Sequence, residues 1–227
     1  MPLLHAYFLH TRPYRETSLL VDVFTAEAGM VSGIMRGGRG SRRPSPQLFQ
    51  PLHIELAGKS ELKTLRQLEL AGNAVTLQGA SLFSAFYANE LLVRLLPRDE
   101  VQSSLFLAYA ELLGNLALPQ EPAVLLRRFE TALLEVLGYA IDFTYDGAAG
   151  EAVKSEAYYA FHPEQGFYAT TSSQAIATGR VLLSLAEGCF EGVEEARIAK
   201  QINRLALARL LGNRPLRSRE LFLSSRS

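Results

Sequence analysis

The amino-acid sequence predicts an α+β fold in which a small all-β domain precedes a helical one. Three observations lead there. Residues 1–71 break into short apolar runs separated by turn signals, the pattern of strands. From Gly79 onward apolar residues recur every three or four positions, as on one face of a helix. Among the helices, residues 140–171 lose that spacing and carry scattered glycines with Phe143, Tyr145, Tyr158, Tyr159, Phe161, Phe167 and Tyr168.

The predicted strands are LLHAYFL, SLLVDVF, MVSGIM, LFQPLHIELA and ELKTLRQLEL. Glu27-Ala28-Gly29 and Gly58-Lys59 are tight connections, whereas residues 36–47 (RGGRGSRRPSPQ) hold too much Gly, Pro and Arg for a strand. Five strands in this length suit a small closed barrel, and the five-stranded OB-fold is the natural candidate. A first helix follows with Leu82, Phe83, Phe86, Tyr87, Leu91 and Leu95 on one face and Pro97 as its stop. A second is expected over about 100–116. A third opens at Glu121-Pro122 and ends at Gly138. YYAFHPEQGFYAT reads as a hairpin. Ser172 or Ser173 is expected to cap a helix reaching Ala186, and a last helix runs over 193–211, ended by Gly212 with Pro215 beyond. The chain thus divides into a barrel domain over 1–78 and a helical domain over 79–227, with a β-rich insertion at about 140–171.

Composition bounds the chemistry. In 227 residues, 48% are hydrophobic and 20% charged, an ordinary globular balance with no disorder signature. No leader pattern opens the chain and no apolar run approaches the roughly 18 residues of a membrane span, so a cytoplasmic location is expected. The one cysteine, Cys189, excludes an internal disulfide and is read as a small core residue on an apolar helix. No phosphate-binding GxxxxGK[ST] loop or GxGxxG is present, and His5, His10, His53 and His162 lack metal-ligand spacing. Neither a catalytic residue nor a cofactor or metal is expected, and the chain is read as a non-enzyme.

Net charge is zero, yet the charges are unevenly placed. Residues 1–80 hold nine Lys and Arg against six acids, residues 81–139 four against seven, and residues 197–227 eight against the single acid Glu220. Arg36, Arg39, Arg42 and Arg43 crowd the glycine-rich loop, and Lys59, Lys63 and Arg66 lie on the next hairpin. Such a set fits phosphates, and barrel aromatics are expected to stack bases. A solvated loop that needs charge for solubility would read the same way. Arg204 and Arg217 extend the candidate DNA contact into the C-terminal basic zone, although cations at a helix C-terminus also follow from its dipole.

These residues carry a family likeness. Ala6-Tyr7-Phe8-Leu9 with Arg12-Pro13-Tyr14-Arg15-Glu16-Thr17-Ser18-Leu19-Leu20, then Asp22-Val23-Phe24-Thr25 and Gly29, resembles the start of RecO recombination mediators. So do residues 37–43, Leu62-Lys63-Thr64-Leu65-Arg66, Tyr87-Ala88-Asn89-Glu90-Leu91-Leu92, Arg127-Arg128-Phe129-Glu130 with Leu137-Gly138-Tyr139, and Pro215-Leu216-Arg217-Ser218-Arg219-Glu220-Leu221-Phe222. The likeness runs nearly end to end. It implies an OB domain, a helical domain and a zinc-ribbon-like insertion. It also implies binding and annealing of single-stranded DNA, with duplex DNA left open, and nucleoid association. The implied partners are RecR and single-stranded-DNA-binding protein, on whose DNA the family loads recombinase. Many such proteins hold zinc with four cysteines in the insertion; residues 140–171 have none, so no metal is expected here.

The implied partner ends in an acidic tail with an apolar terminal residue. Arg127 and Arg128, among Leu125, Leu126, Phe129 and Leu133, offer cations beside apolar side chains for such a ligand. Pairing of one arginine with Glu130 or Glu135 is the plain alternative. Two other functions stay open: an adaptor whose helical domain docks that tail with DNA contact secondary, and a general RNA-binding OB protein.

Overall fold

A computed structural model describes residues 3–39 and 47–224. The first five strands are β1 (Leu4–Tyr14), β2 (Ser18–Thr25), β3 (Gly29–Met35), β4 (Leu52–Ala57) and β5 (Leu62–Leu70). They close into a barrel of order β1-β2-β3-β5-β4 in which β3 and β5 run parallel, the OB barrel expected from the sequence. Side chains alternate across each strand. Ala6, Phe8, Val21, Val23, Leu52, Ile54 and Leu65 therefore fill the interior, while Tyr7 and Phe24 take the outer face.

That outer face is covered. Helices α1 (Gly79–Leu95) and α2 (Ser103–Leu116) pack there, the latter beginning later than the sequence suggests. The Tyr7 ring lies 5.6 Å from Phe106 and 5.3 Å from Tyr109, and Phe24 lies 5.4 Å from Phe106. Buried Asn89 ties three elements: its amide donates to the Leu9 carbonyl (2.9 Å) and its carbonyl accepts from the Tyr109 hydroxyl (2.6 Å). Burial raises the Tyr109 pKa well above its ordinary value, and nearby Tyr7 adds to the shift. The chain after α1 returns along β3, where Asp99 donates its N–H to the Met30 carbonyl and Arg98 bonds to Asp22 (2.9 Å) and Ser32. Gly29 permits this approach, because its φ is +67° and a Cβ there would overlap the Glu100 carbonyl. A short helix unread in the sequence, α6 (Ser218–Ser224), rests on α1 through Phe222 against Phe83 (5.6 Å).

Strands give way to helices between Leu70 and Gly79. The compact units divide later, into Met1–Gln120 with Leu216–Ser227, and Glu121–Pro215, because α1, α2 and α6 belong with the barrel.

The second unit contains α3 (Pro122–Val136), α4 (Gly179–Ala186) and α5 (Val193–Leu211). Its sheet has order β10-β8-β9-β6-β7, from β6 (Tyr145–Asp146), β7 (Glu151–Ala152), β8 (Tyr158–His162), β9 (Gly166–Thr170) and β10 (Ala177–Thr178). Gly138 ends α3 at φ +81°, with the Tyr139 N–H on the Leu134 carbonyl and the Gly138 N–H on Glu135, a Schellman closure. Phe143, Tyr159, Phe167, Leu182, Ile198 and Ile202 form the core. The hairpin read from YYAFHPEQGFYAT is β8–β9. Two other expectations need correction. Ser172 and Ser173 cap no helix, since Ile176 donates to the Tyr159 carbonyl and the chain stays on the sheet until Thr178. Cys189 is exposed on the connection between α4 and α5, outside any apolar helix face.

Candidate nucleic-acid interface

Backbone register explains how two distant arginines meet. The parallel pairing of Ile34 with Thr64 carries Arg36 and Arg66, each two positions on, to the same side of the sheet. They line one open hollow with Ala57, Gly58, Thr64 and Leu65. Lys59 is exposed in the β4–β5 turn beside it. On the other flank Arg39 is held to the β1–β2 turn: its N–H donates to the Thr17 carbonyl (3.1 Å) and its guanidinium to the Arg15 carbonyl (3.1 Å). Both arginines of the β3–β4 loop that are described, and Arg66, expose their side chains. Arg42 and Arg43, the other two expected phosphate ligands of that loop, lie outside the described residues.

Lys63 stands apart from this group. It is only 22% exposed and lies 4.0 Å from Asp99, so part of its charge serves the return segment after α1. Arg217 precedes α6 and uses its backbone N–H on Glu90, while exposed Arg204 sits on α5 in the other unit. The structure thus brings Arg36 and Arg66 together in one hollow, with exposed Lys59 next to its Gly58 in the β4–β5 turn and Arg39, three residues after Arg36, bonded to the β1–β2 turn. Acids in the same turns are Glu16 and Glu61, both exposed.

The expected stacking of bases on barrel aromatics meets a physical obstacle. Tyr7, Phe8, Phe24 and Phe49 are buried, two in the interior or under the helices with no exposure at all. What the described barrel residues expose here is mainly charge. The β1–β2 turn holds a contact with no local signal in the sequence. Its Arg15 guanidinium lies 5.2 Å from the centre of the Tyr14 ring, and Arg15 adopts φ +52°, unusual for a residue with a side chain.

The residues expected to receive an acidic tail are mostly internal. Phe129 is 2% exposed and Leu133 fully buried. Arg127, 6% exposed, pairs with Glu130 at 2.9 Å, the plain alternative noted above. Asn203 on α5 completes the set by donating to the Arg127 carbonyl (3.3 Å) and the Glu130 carboxylate (3.2 Å). Arg128 alone faces solvent, bonded to Glu191, itself exposed. The four therefore do not line one open pocket. An open hollow in this unit does contain Tyr139, Ile141, Tyr145, Phe161 and Arg209. Asp142 and Glu164 line it too, and Glu164 binds Arg209 at 3.0 Å, so its charge disfavours an acidic ligand.

Zinc does not fit the insertion. No group of three His, Cys, Asp or Glu suited to a metal occurs among the described residues. Where a metal would organise such loops, Asp146 does so here. Its carboxylate accepts the N–H groups of Ala148 (3.0 Å), Ala149 (2.9 Å) and Ala169 (3.0 Å), fixing the β6–β7 loop to β9. Tyr159 adds a second tie by accepting the Lys154 N–H at 2.8 Å.

No helix among the described residues is long and apolar enough to cross a membrane. Comparison with known proteins gives a consistent result along the whole chain. Residues 2–74 match the family described as "Recombination protein O N terminal", and residues 77–220 match "Recombination protein O C terminal". The chain is similar to proteins named "DNA repair protein RecO". That of Tolumonas auensis is 46% identical over 222 residues, covering 96% of this chain and 93% of the relative. Those of Cellvibrio japonicus (43%, covering 96% and 94%) and Aliivibrio fischeri (40%, covering 96% and 93%) are similar in the same way.

Proposed function

Because the chain belongs to the RecO family of DNA repair proteins, we propose that it is a non-enzymatic recombination mediator that binds and anneals single-stranded DNA. The observation that carries this reading is the meeting of Arg36 and Arg66 in one open hollow of the barrel, with Lys59 and Arg39 in the adjoining turns, while helix side chains cover the Tyr7 and Phe24 face. Contacts of this kind hold phosphates and carry no base preference. They leave base edges free to find a complement, which is what annealing requires. Arg204 and Arg217 are assigned a supporting role as peripheral phosphate contacts, Arg42 and Arg43 a direct one.

The same reading gives the second unit a protein partner. Arg128 is the solvent-facing cation of α3 and is assigned to the acidic tail of single-stranded-DNA-binding protein; Arg127, Phe129 and Leu133 support its helix from below. Loading of recombinase together with RecR, in the cytoplasm and on the nucleoid, completes the proposal.

Annealing of complementary oligonucleotides, naked and coated with single-stranded-DNA-binding protein, tests it. The parent chain should accelerate annealing of both substrates. An R36E/R39E/R66E variant with parental circular dichroism should lose that acceleration. A parent chain without annealing activity, or a variant as active as the parent, overturns the proposal.

A further inference from the structure

One tyrosine ring of the described barrel strands and their loops is not buried. Among the described Phe and Tyr residues of the barrel strands and their loops, Tyr7, Phe8, Phe24 and Phe49 are all enclosed, whereas Tyr14 is partly exposed. It is the last residue of β1 and pairs with Ser18 across the β1–β2 turn. Its face is occupied by the exposed Arg15, whose guanidinium stands 5.2 Å from the ring centre. The turn is also joined to the cationic group by the two bonds from Arg39, to the Arg15 and Thr17 carbonyls. An aromatic face, a guanidinium over it and a phosphate-binding arginine bonded to the same turn thus occur within a few residues.

We infer that Tyr14 is a base-stacking position and that Arg15 is its exchangeable cover, so that a base of bound single-stranded nucleic acid takes the ring face as Arg15 swings onto a neighbouring phosphate. This rests on the DNA-binding reading and extends it from phosphates to one base. Stacking on a tyrosine face accepts any base, since each has a π-face, and it agrees with binding that has no sequence preference. The resting arrangement is suited to the exchange. A guanidinium over a ring is held weakly at an exposed site, and the displaced arginine keeps its charge satisfied on the backbone. Arg15 itself sits at φ +52°, and the Arg39 bond to its carbonyl holds the turn in that conformation. Arg39 is thereby both a phosphate contact and a positioning residue for the ring.

The chain contains no tryptophan, so Tyr14→Trp supplies a single reporter at the site. Three measurements belong together: anisotropy of a labelled oligo-dT strand, fluorescence of Y14W titrated with the same strand unlabelled, and fluorescence titrated with an abasic strand of equal length. The proposal expects Y14W emission to be quenched by oligo-dT and left nearly unchanged by the abasic strand. It expects Tyr14→Ala to weaken oligo-dT binding at least about five-fold with an unaltered log-salt slope, and Tyr14→Phe to bind as the parent. Unquenched Y14W at saturating oligo-dT, equal quenching by the abasic strand, or parental affinity in Y14A overturns the proposal while the phosphate reading stands. A parent chain that fails to bind labelled oligo-dT overturns that reading and this one with it.

Discussion

The carboxylate of Glu90 on α1 receives both the backbone N–H (2.9 Å) and the hydroxyl (2.6 Å) of Ser218, the first residue of α6. The Arg217 N–H binds the other oxygen at 3.0 Å. Residues 127 positions apart in sequence are joined there, and both lie in segments that carry the family likeness.

Acid should therefore release α6. Burial alone would raise the Glu90 carboxyl, but the hydrogen bonds from Ser218 and Arg217 and the charge of Arg94 outweigh it and leave the pKa lowered. A carboxyl with a depressed folded pKa contributes its stability above the unfolded value of about 4.3 and loses it as pH falls through the folded value. Hydrogen-exchange protection factors of residues 217–224, referred to the intrinsic rate at each pH, should thus be high at neutral pH and fall below about pH 4, before those of the barrel strands. Glu90→Ala should give low protection at neutral pH, at a cost to stability of about 1–2 kcal/mol. Parental protection in E90A would contradict the clamp.

Two adjacent arginines should behave differently. Arg127→Ala leaves the Glu130 carboxylate buried without its cation, which typically costs about 3–5 kcal/mol. Arg128→Ala removes an exposed pair with Glu191 worth at most about 1 kcal/mol. Thermal denaturation separates them, and a labelled acidic tail peptide then reads function. R128A should fold as the parent and bind the peptide more weakly. Parental peptide affinity in R128A would remove the tail from α3.

Gly29→Ala should unseat the segment that returns along β3. Any side chain there meets the Glu100 carbonyl and must adopt φ +67°, so a loss of roughly 2 kcal/mol or more is expected from strain and lost contacts. Chemical denaturation measures it. A parental midpoint would mean that the segment is not pinned at Glu100.

The insertion should be stable without metal and depend on Asp146. Chelator should leave the melting temperature unchanged, and elemental analysis should find no stoichiometric zinc, since a structural zinc would contribute folding free energy directly. Asp146→Ala strands three backbone N–H donors and should cost about 2–3 kcal/mol. Zinc at one equivalent would contradict this account of the insertion.

The architecture was legible in the sequence where local signals and tertiary pairing agree. The apolar run SLLVDVF, the turn at Gly29 and the stop at Gly138 each encode a backbone preference that the fold keeps. The failures share a cause. Base stacking on barrel aromatics and a tail site at Phe129 are expected from the sequence because periodicity does not say whether a helix will cover a face, and Phe24 and Phe129 are both buried. Thr178 replaces Ser172 and Ser173 as the start of α4 because sheet pairing of residues 176–178 overrides a capping preference. The meeting of Arg36 with Arg66 depends on a parallel register that composition cannot reveal, although each residue was individually visible as a cation. The contact between Tyr14 and Arg15 was not legible, since nothing local marks an arginine as lying over its neighbour's ring.

The central claim is that a barrel-end cationic group binds the phosphates of single-stranded DNA, and the salt dependence of that binding tests it most directly. Each phosphate neutralised on a single strand contributes about 0.7 to the slope of log affinity against log salt. For the parent chain the slope should be steep and nearly independent of base sequence. Replacing Arg36, Arg39 and Arg66 with Glu should flatten it by about two units in a chain that still folds. An unchanged slope in the folded triple variant would contradict the assignment and place the DNA elsewhere on the molecule.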